Sequence, residues 1–325
     1  MKILKHITTF LLTLITISVT AQPITDTIFQ PTVGFPVFME GQGPIIIIDE
    51  SHYNFRTISP TLIPHTEVAM PGRFFPLARL LRRDGYVVKP SKDSFTRESL
   101  SEANILIIGS ALAKENVNSW NLPFLPAFTA DEIETVVSWV KEGGSLLLIA
   151  GTYGGAASSA QLAERFGIFF SNGSAFKVKD QYERVLKDWI VFKKNNGSLV
   201  DHVITRGRNE EESVDSIMTF EGQAFRFKPG TAFEPILVFK EPTMLVFAFN
   251  GLFEHAPRIR ADGMLQGALL KYGKGRVAVF GEAGMFCSQI TNTTRKPIGM
   301  NHPSASQNAQ FILNMIHWLT NILNE

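Results

Sequence analysis

The sequence has little of what cross-links a protein or attracts large charged partners. It holds one cysteine, Cys287, in 325 residues, so an internal disulfide is excluded and the core must supply the stability. Charged residues make up 19% of the chain, the net charge is +1, and no block of Lys or Arg occurs. Nucleic acid and acidic membrane surfaces are therefore not implied as partners.

Apolar residues, in contrast, are plentiful. They make up 45% of the chain, which is typical of a globular protein with a sizeable core. The first residues form a distinct pattern, with a positive start (MKILKH), an apolar stretch (ITTFLLTLITISV) and small residues at 19–21. This pattern predicts a signal peptide over residues 1–21 with cleavage near Ala21, and hence a periplasmic or secreted protein. No later stretch is long and apolar enough to suggest a membrane span after cleavage.

Strand-like and helix-like segments alternate through residue 167. Uninterrupted apolar runs predict buried strands at 44–50, 86–88, 104–110 and 145–150, and helical spacing predicts helices at 72–85, 129–144 and 156–167. Thr129 and Glu132 have the spacing of a capping box at the start of the second helix. The alternation predicts an α/β fold with a mostly parallel, doubly wound sheet.

The second half of the chain is less regular. We expect a loop-rich β insertion with additional strands over about 171–262, containing a pair of strands at 235–250. A hairpin is expected over 263–286, and a last helix over 304–323 with Ser304 and Gln307 as a second capping box. No linker or repeat divides the chain, so we expect residues 22–325 to form a single domain.

A polar loop follows the first buried strand, where open parallel sheets bind ligands. Asp49, Glu50, His52 and Asn54 lie in it. Glu50 or His52 could serve as a general base, and a metal site would draw on Asp49, Glu50, His52 and Glu282. No second His stands at ligand spacing, so we predict no metal. A structural role is the alternative: the two acids would cap backbone N–H groups while His52 and Asn54 order the loop.

A glycine-rich loop follows the fourth strand. Gly151, Thr152, Tyr153, Gly154 and Gly155 match the spacing of a nucleophile elbow, with Tyr153 at the central position and Thr152 as a secondary candidate. Tyr is a poor acyl acceptor. The glycines also suit a turn that presents N–H groups to an anion, or a turn needed only for chain geometry.

Two further segments complete the set of candidates. Glu282 follows an apolar strand, and Asn301 and His302 precede the last helix and could fold over the site. Cys287 is expected to be a small buried side chain, because a catalytic thiol needs a basic, partly exposed setting. The predicted catalytic residues are Glu50, His52 and Glu282, and the predicted ligand-binding residues are Asp49, Asn54, Gly151, Thr152, Tyr153, Gly154, Asn301 and His302.

Six stretches spread along the chain carry a family resemblance. They are IIIIDESHYNF, GRFFPLARLLRRDGY, NSWNLPFLPAFTADEI, WVKEGGSLLLIA, GRVAVFGEAGMF and GMNHPSASQNAQFILNMIHWL. Together they resemble an uncharacterised bacterial family of class I glutamine amidotransferase-like, flavodoxin-like domains of unknown function. The resemblance covers nearly all of the mature chain. It implies a Rossmann-like three-layer α/β sandwich and no established reaction.

The chain departs from the pattern of active glutaminases in this superfamily. Those enzymes carry Cys at the elbow, where this chain has Tyr153, so the resemblance argues against glutaminase activity. It also implies that relatives have a second His where this chain has Arg56, and an Asp-His pair where it has Gly151 and Thr152. Because this chain lacks these His and Asp residues, the polar loops are better interpreted as the rim of a binding pocket than as a catalytic centre.

Three functions remain open at this point. The first is binding of a small polar ligand, such as a sugar or a carbohydrate-derived acid, by an exported protein with no cofactor. The second is a hydrolase that uses Glu50 and His52 with Glu282 as partner. The third is a non-catalytic interaction module of an envelope complex. We favour the first narrowly, because the polar loops offer no credible nucleophile, and whether the protein is an enzyme stays open.

Overall fold

The computed structural model describes residues 23–53, 55–62, 69–117, 122–152, 154–248, 253–292 and 294–324. The helices in these residues are α1 (Phe75–Arg83), α2 (Ala130–Glu142), α3 (Gly154–Ser158), α4 (Ala160–Arg165), α5 (Val203–Arg206) and α6 (Asn308–Leu319). The strands are β1 (Ile24–Thr25), β2 (Ile45–Asp49), β3 (Thr61–Leu62), β4 (Ala69–Met70), β5 (Val87–Ser91), β6 (Ile105–Gly109), β7 (Ser145–Ile149), β8 (Ile168–Phe170), β9 (Ser174–Val178), β10 (Val185–Leu186), β11 (Ile190–Lys193), β12 (Ser216–Thr219), β13 (Phe225–Phe227), β14 (Glu234–Val238), β15 (Thr243–Val246), β16 (Arg258–Arg260), β17 (Leu265–Tyr272), β18 (Gly275–Phe280), β19 (Ser288–Ile290) and β20 (Pro297–Gly299).

The central sheet is mixed. Its strands lie in the order β5-β2-β6-β7-β18-β17-β13-β8, and β14 also pairs with β17. The strands from β5 to β18 are parallel, whereas β17, β13, β8 and β14 join by antiparallel pairing. The predicted α/β class with a mostly parallel central sheet is confirmed, and the antiparallel strands extend it beyond what the sequence predicted.

The inner parallel strands β2, β6 and β7 are buried on both faces, which explains their uninterrupted apolar runs. Ile46 and Ile48 pack on one face against a core that includes α1 and α6. Ile47, which points to the other face because side chains alternate along a strand, packs against a core that includes α2 and α4. Both layers of helices therefore bury an apolar stripe against the same sheet.

The helix predictions hold best where local capping decides the boundary. α2 begins after Thr129, whose side chain accepts a hydrogen bond from the Glu132 N–H while Glu132 accepts one from the Thr129 N–H, as the capping box predicts. The second predicted capping box is wrong, because α6 begins after Gln307. The Gln307 Oε1 instead accepts hydrogen bonds from the backbone N–H groups of Asp215 and Ser216 at 3.0 Å each.

The strand pairing in the second half of the chain differs from the prediction for one pair of strands. The hairpin of β17 and β18 is confirmed, with Tyr272 opposite Gly275. The two strands predicted at 235–250 exist as β14 and β15 but do not pair with each other. β14 joins β17 in the central sheet, and β15 lies between β9 and β16 in a separate antiparallel sheet. A sequence pattern predicts that a segment forms a strand, but it does not indicate which other strand that segment pairs with.

Within the described residues, each helix is too short or too polar to cross a bilayer.

Candidate functional site

The candidate site lies beyond the carboxyl ends of β2, β6, β7 and β18. β2 lies between β5 and β6, so the chain order of the parallel strands reverses there, and open sheets bind ligands at such a switch point. Ser110 follows β6, Thr152 follows β7 and Glu282 follows β18. The topology thus brings three polar residues from distant parts of the sequence to one edge.

Two arginines face the same edge. Backbone hydrogen bonds from the Arg73 N–H to the Phe55 carbonyl and from the Phe74 N–H to the Thr57 carbonyl, both 3.0 Å, join the loop after β2 to the residues before α1. This pairing places Arg56 beside Arg73, and the Arg73 guanidinium lies 5.6 Å from the centroid of the Phe55 ring. Burial, followed by the charge of Arg56, lowers the pKa of Arg73 to about 10, so it keeps its positive charge at neutral pH.

Ser110 is held in an unusual backbone conformation at this edge. Its φ is +51°, which is sparsely populated by residues other than Gly and clusters at functional sites. Its side chain is 7% exposed, and Oγ has no hydrogen-bond partner among the residues described. A Cβ on Gly151 would lie 2.8 Å from this Oγ, so glycine at 151 leaves room for the hydroxyl.

These residues surround a cavity of about 260 Å³. Its described lining contains the two arginines, the Ser110 hydroxyl and the start of the glycine loop, together with apolar side chains. The lining residues are Pro23, Phe55, Arg56, Arg73, Ser110, Leu112, Thr152 and Gly155. We call it the cationic chamber.

A second cavity of about 240 Å³ adjoins the first, since Pro23, Arg56 and Thr152 line both. Its other walls come from the glycine loop after β7, from the 171–262 region and from the segments after β18. They are Gly151, Trp189, Phe220, Glu221, Gly222, Glu282, Ala283, Gly284, Gln289 and Ile298. We call it the aromatic chamber, after Trp189 and Phe220, whose ring centroids lie 4.8 Å apart.

Glu282 forms part of the floor of the aromatic chamber. It is 2% exposed, and its carboxylate accepts hydrogen bonds from the N–H groups of Gly284 and Met285, the latter at 2.7 Å. Burial raises the pKa of Glu282 to about 7, although these N–H groups and the charge of Arg56 act in the opposite direction. The carboxyl group can therefore gain or lose a proton near neutral pH beside a fixed cation.

His52 belongs to a buried ionic cluster with Asp49 and Glu132. Its Nδ1 lies 2.9 Å from Asp49 Oδ1 and its Nε2 lies 3.1 Å from Glu132 Oε1. The imidazole also packs between the Phe95 and Phe128 rings, with centroid distances of 4.8 Å and 4.6 Å. Burial alone would lower the pKa of His52, but the hydrogen bonds and charges of the two carboxylates raise it. The cluster ties the β2 loop to α2.

Glu50 caps its own loop. Its Oε1 accepts hydrogen bonds from the Ile58 N–H at 2.7 Å and the Ser59 N–H at 2.8 Å. Glu282 lines the aromatic chamber, whereas neither Glu50 nor His52 belongs to the described lining of either chamber. The structure therefore does not bring the three predicted catalytic residues into one hydrogen-bonded group.

The remaining predicted ligand-binding residues lie in different surroundings. Gly151 and Thr152 line the chambers. Asp49 accepts hydrogen bonds from the Ser51 N–H and hydroxyl at 3.0 Å and 2.8 Å. The Asn301 amide donates to Asp26 and to the Gln289 carbonyl. Two of the predicted residues lie outside the described ranges, namely Asn54 and Tyr153.

Gly154 and His302 are not among the described lining residues of either chamber and have packing roles instead. A Cβ on Gly154 would meet the Phe124 ring at 2.9 Å, so this glycine serves packing within the glycine loop. The His302 ring lies 4.8 Å from the Trp189 centroid and 5.7 Å from that of Phe220. His302 thus supports the aromatic wall, and burial lowers its pKa.

Most of the residues that line the two chambers were not predicted from the sequence. Ser110 and Arg73 lie at the boundaries of predicted elements. A polar residue at such a boundary is the sequence feature that could have identified them as site residues. Trp189 and Phe220 come from the irregular region, where no periodicity predicts which side chains return to the sheet edge.

Two further predictions concern the thiol and metal binding. Cys287 is fully buried, as expected, its Sγ lies 3.3 Å from the Ala283 carbonyl oxygen, and burial raises its pKa to about 11. Over the described ranges, no group of three or more His, Cys, Asp or Glu side chains is arranged to hold a metal ion.

Solved structures that are similar to this chain have low sequence identity to it. The mmIFT52 N-terminal domain is 16% identical, with a TM-score of 0.53 over 85% of this chain and 97% of that one. A cytoplasmic protein from Salmonella typhimurium is 13% identical (TM-score 0.47, 85% and 98% covered), and a putative ThuA-like protein from Bacteroides uniformis is 11% identical (TM-score 0.44, 88% and 94% covered). No family model matches the chain, and no curated protein matches it.

Proposed function

We propose that this chain is an exported, amidotransferase-like domain that binds a small polar anion in the cationic chamber. The observation that carries the proposal is the placement of Arg56, Arg73 and Ser110 around one cavity at the switch point of a parallel sheet. Guanidinium groups recognise carboxylates and phosphates through paired N–H donors. The Ser110 hydroxyl, buried and aimed at the same space, can donate a further hydrogen bond.

The proposal extends to the fold family and the lack of glutaminase chemistry. The parallel strands lie in the order second, first, third, fourth, fifth, which is the flavodoxin-like order, and helices cover both faces. These features support a three-layer, amidotransferase-like sandwich. The Cys287 thiol is buried directly before β19 with a raised pKa, which supports binding without a thiol nucleophile.

Binding of small carboxylates tests the proposal. Calorimetric titration with propionate should give measurable heat, whereas propionamide, which has the same shape without the charge, should give none. Arg73→Gln should weaken propionate binding by about ten-fold or more, because a charge-assisted hydrogen bond contributes about 1.5–3 kcal/mol.

Arg97→Gln is the matched control. Arg97 is exposed and pairs with Glu142 on α2, so its loss should leave propionate binding unchanged. Equal binding of propionate and propionamide, or equal losses in the two variants, would rule out the cationic chamber as an anion site.

A further inference from the structure

We propose that the two chambers together bind one ligand, a polyhydroxylated carboxylic acid of the sugar-acid type. The carboxylate lies in the cationic chamber and the hydroxylated body lies in the aromatic chamber. This inference rests on the proposed function, since it takes the anion site as given and identifies what the anion is attached to.

The continuity of the two cavities is the first argument. Pro23, Arg56 and Thr152 line both, so a molecule held at Arg56 reaches into either space. Each cavity alone is small for a ligand site, but together they come within the range of roughly 300–1,000 Å³ that is typical of small-molecule sites. A single compact anion would leave the aromatic chamber unused.

The walls of the aromatic chamber define the body of the ligand. Trp189 and Phe220 offer ring surface, and His302 packs against both from behind. Glu221, Glu282 and Gln289 line the other walls. An apolar ring face beside hydrogen-bond acceptors fits a saturated ring or chain whose hydroxyl groups point to its rim, because such a molecule presents C–H groups on one surface and O–H donors around it.

An ammonium group is the competing occupant of an aromatic and acidic chamber, and the surrounding charges disfavour it. Arg56 forms part of the same wall. Lys187 lies 4.0 Å from the Phe253 ring centroid and close enough to interact electrostatically with Glu221. Glu282 already accepts hydrogen bonds from two backbone N–H groups. A neutral hydroxylated body therefore suits this chamber better than a second cation.

Glycines allow the walls to come this close. Gly222 has a φ of +152°, and a Cβ there would lie 2.7 Å from Glu282 Cγ. A Cβ on Gly284 would lie 2.9 Å from the Phe220 Cβ. Larger residues would separate the aromatic wall from the end of β18, and the chamber would lose its shape.

The test is calorimetric titration of the full mature chain with D-glucuronate, D-glucose and propionate. Glucuronate should bind at least about ten-fold more tightly than propionate, because the aromatic face adds to the ion pair, and glucose should bind more weakly than glucuronate. Trp189→Ala should remove the advantage of glucuronate over propionate and leave propionate binding unchanged. Trp189→Phe should retain most of that advantage because it keeps a ring face.

Tyr182→Ala is the matched control, since this aromatic ring is 73% exposed and lies outside both chamber linings. If glucuronate and propionate bind equally and Trp189→Ala changes neither affinity, the inference is overturned while the anion site stands. If glucose binds as tightly as glucuronate, the carboxylate contributes nothing to binding of the sugar acid and this inference is overturned. If neither acid binds, the proposed function fails and this inference fails with it.

Discussion

Two buried ionisable residues near the sheet edge act in the same direction on the pH dependence of folding. Glu282 is buried at the end of β18 with a pKa raised to about 7 from its ordinary 4.5, whereas His52 is buried between two carboxylates with its pKa raised above 6.5. Protonation is therefore favoured in the folded state at both residues, and each should lose stability as the pH rises, in different windows.

For Glu282, the folded state binds the proton more tightly than the unfolded chain between about pH 4.5 and pH 7. The free energy of unfolding should fall across this window, by up to about 1.4 kcal/mol per pH unit, and level off above it. Glu282→Gln removes the titration. Urea unfolding of the wild type and of Glu282→Gln at several pH values measures the difference between their free energies of unfolding. If that difference stays constant from pH 4.5 to 7, the prediction is contradicted.

For His52, the stabilising contribution should be complete below the ordinary pKa of 6.5 and lost as the pH rises through the higher folded value. His52→Gln should therefore cost more stability at pH 6, on the order of 3 kcal/mol, than at pH 9, because it leaves Asp49 and Glu132 facing each other without a cation. Chemical denaturation at the two pH values measures this. An equal cost at both would show that ring packing against Phe95 and Phe128 dominates.

At the scale of elements, the contact between α2 and β18 depends on a glycine. A Cβ on Gly275 would lie 2.1 Å from the carbonyl oxygens of Val140 and Gly144, and both are backbone atoms that cannot turn aside. Gly275→Ala should destabilise the protein by about 2 kcal/mol or more. Gly34→Ala is the control, because the space around Gly34 is open to 4 Å, and it should change stability by less than about 0.5 kcal/mol. Thermal unfolding of both variants compares them.

The elements also show which parts of the fold the sequence could predict. β2, β6 and β7 are continuous apolar runs, and burial on both faces of a parallel sheet requires that pattern. The capping box of α2 depends on contacts within four residues. The pairing of β14 with β17 and of β15 with β9 joins segments that are dozens of residues apart, which leaves no local signature.

The same distinction applies to the candidate site. Topology alone placed Thr152 and Glu282 at one edge, so these two could be predicted from their positions after strands. Arg73 and Trp189 reach the chambers through long-range packing, and the hydrogen bonds that draw Glu50 and His52 into structural roles come from Ser59 and Glu132, respectively. A reactive residue type in a loop is therefore a weaker signal than its position at a strand end.

At the scale of the whole molecule, the 171–262 region shares the central sheet with the rest of the chain. β13 and β14 come from it and pair with β17, and the Asn308 side chain of α6 bonds both backbone groups of Met218. We therefore predict one cooperative unfolding transition. Far-ultraviolet circular dichroism and tryptophan fluorescence should give the same denaturation midpoint, and separated midpoints would indicate an independent unit.

Pro23 lines both chambers and is held there by β1, which pairs with β19. Removal of the predicted leader after Ala21 would place the new amino terminus one residue before Pro23. Purification tags joined at that end would therefore compete with any ligand, whereas the C-terminal segment is bound by Arg276 at the opposite, amino end of β18. Protein carrying a tag before Gln22 should bind propionate at least about ten-fold more weakly than protein tagged at the C-terminus, a loss of about 1.4 kcal/mol.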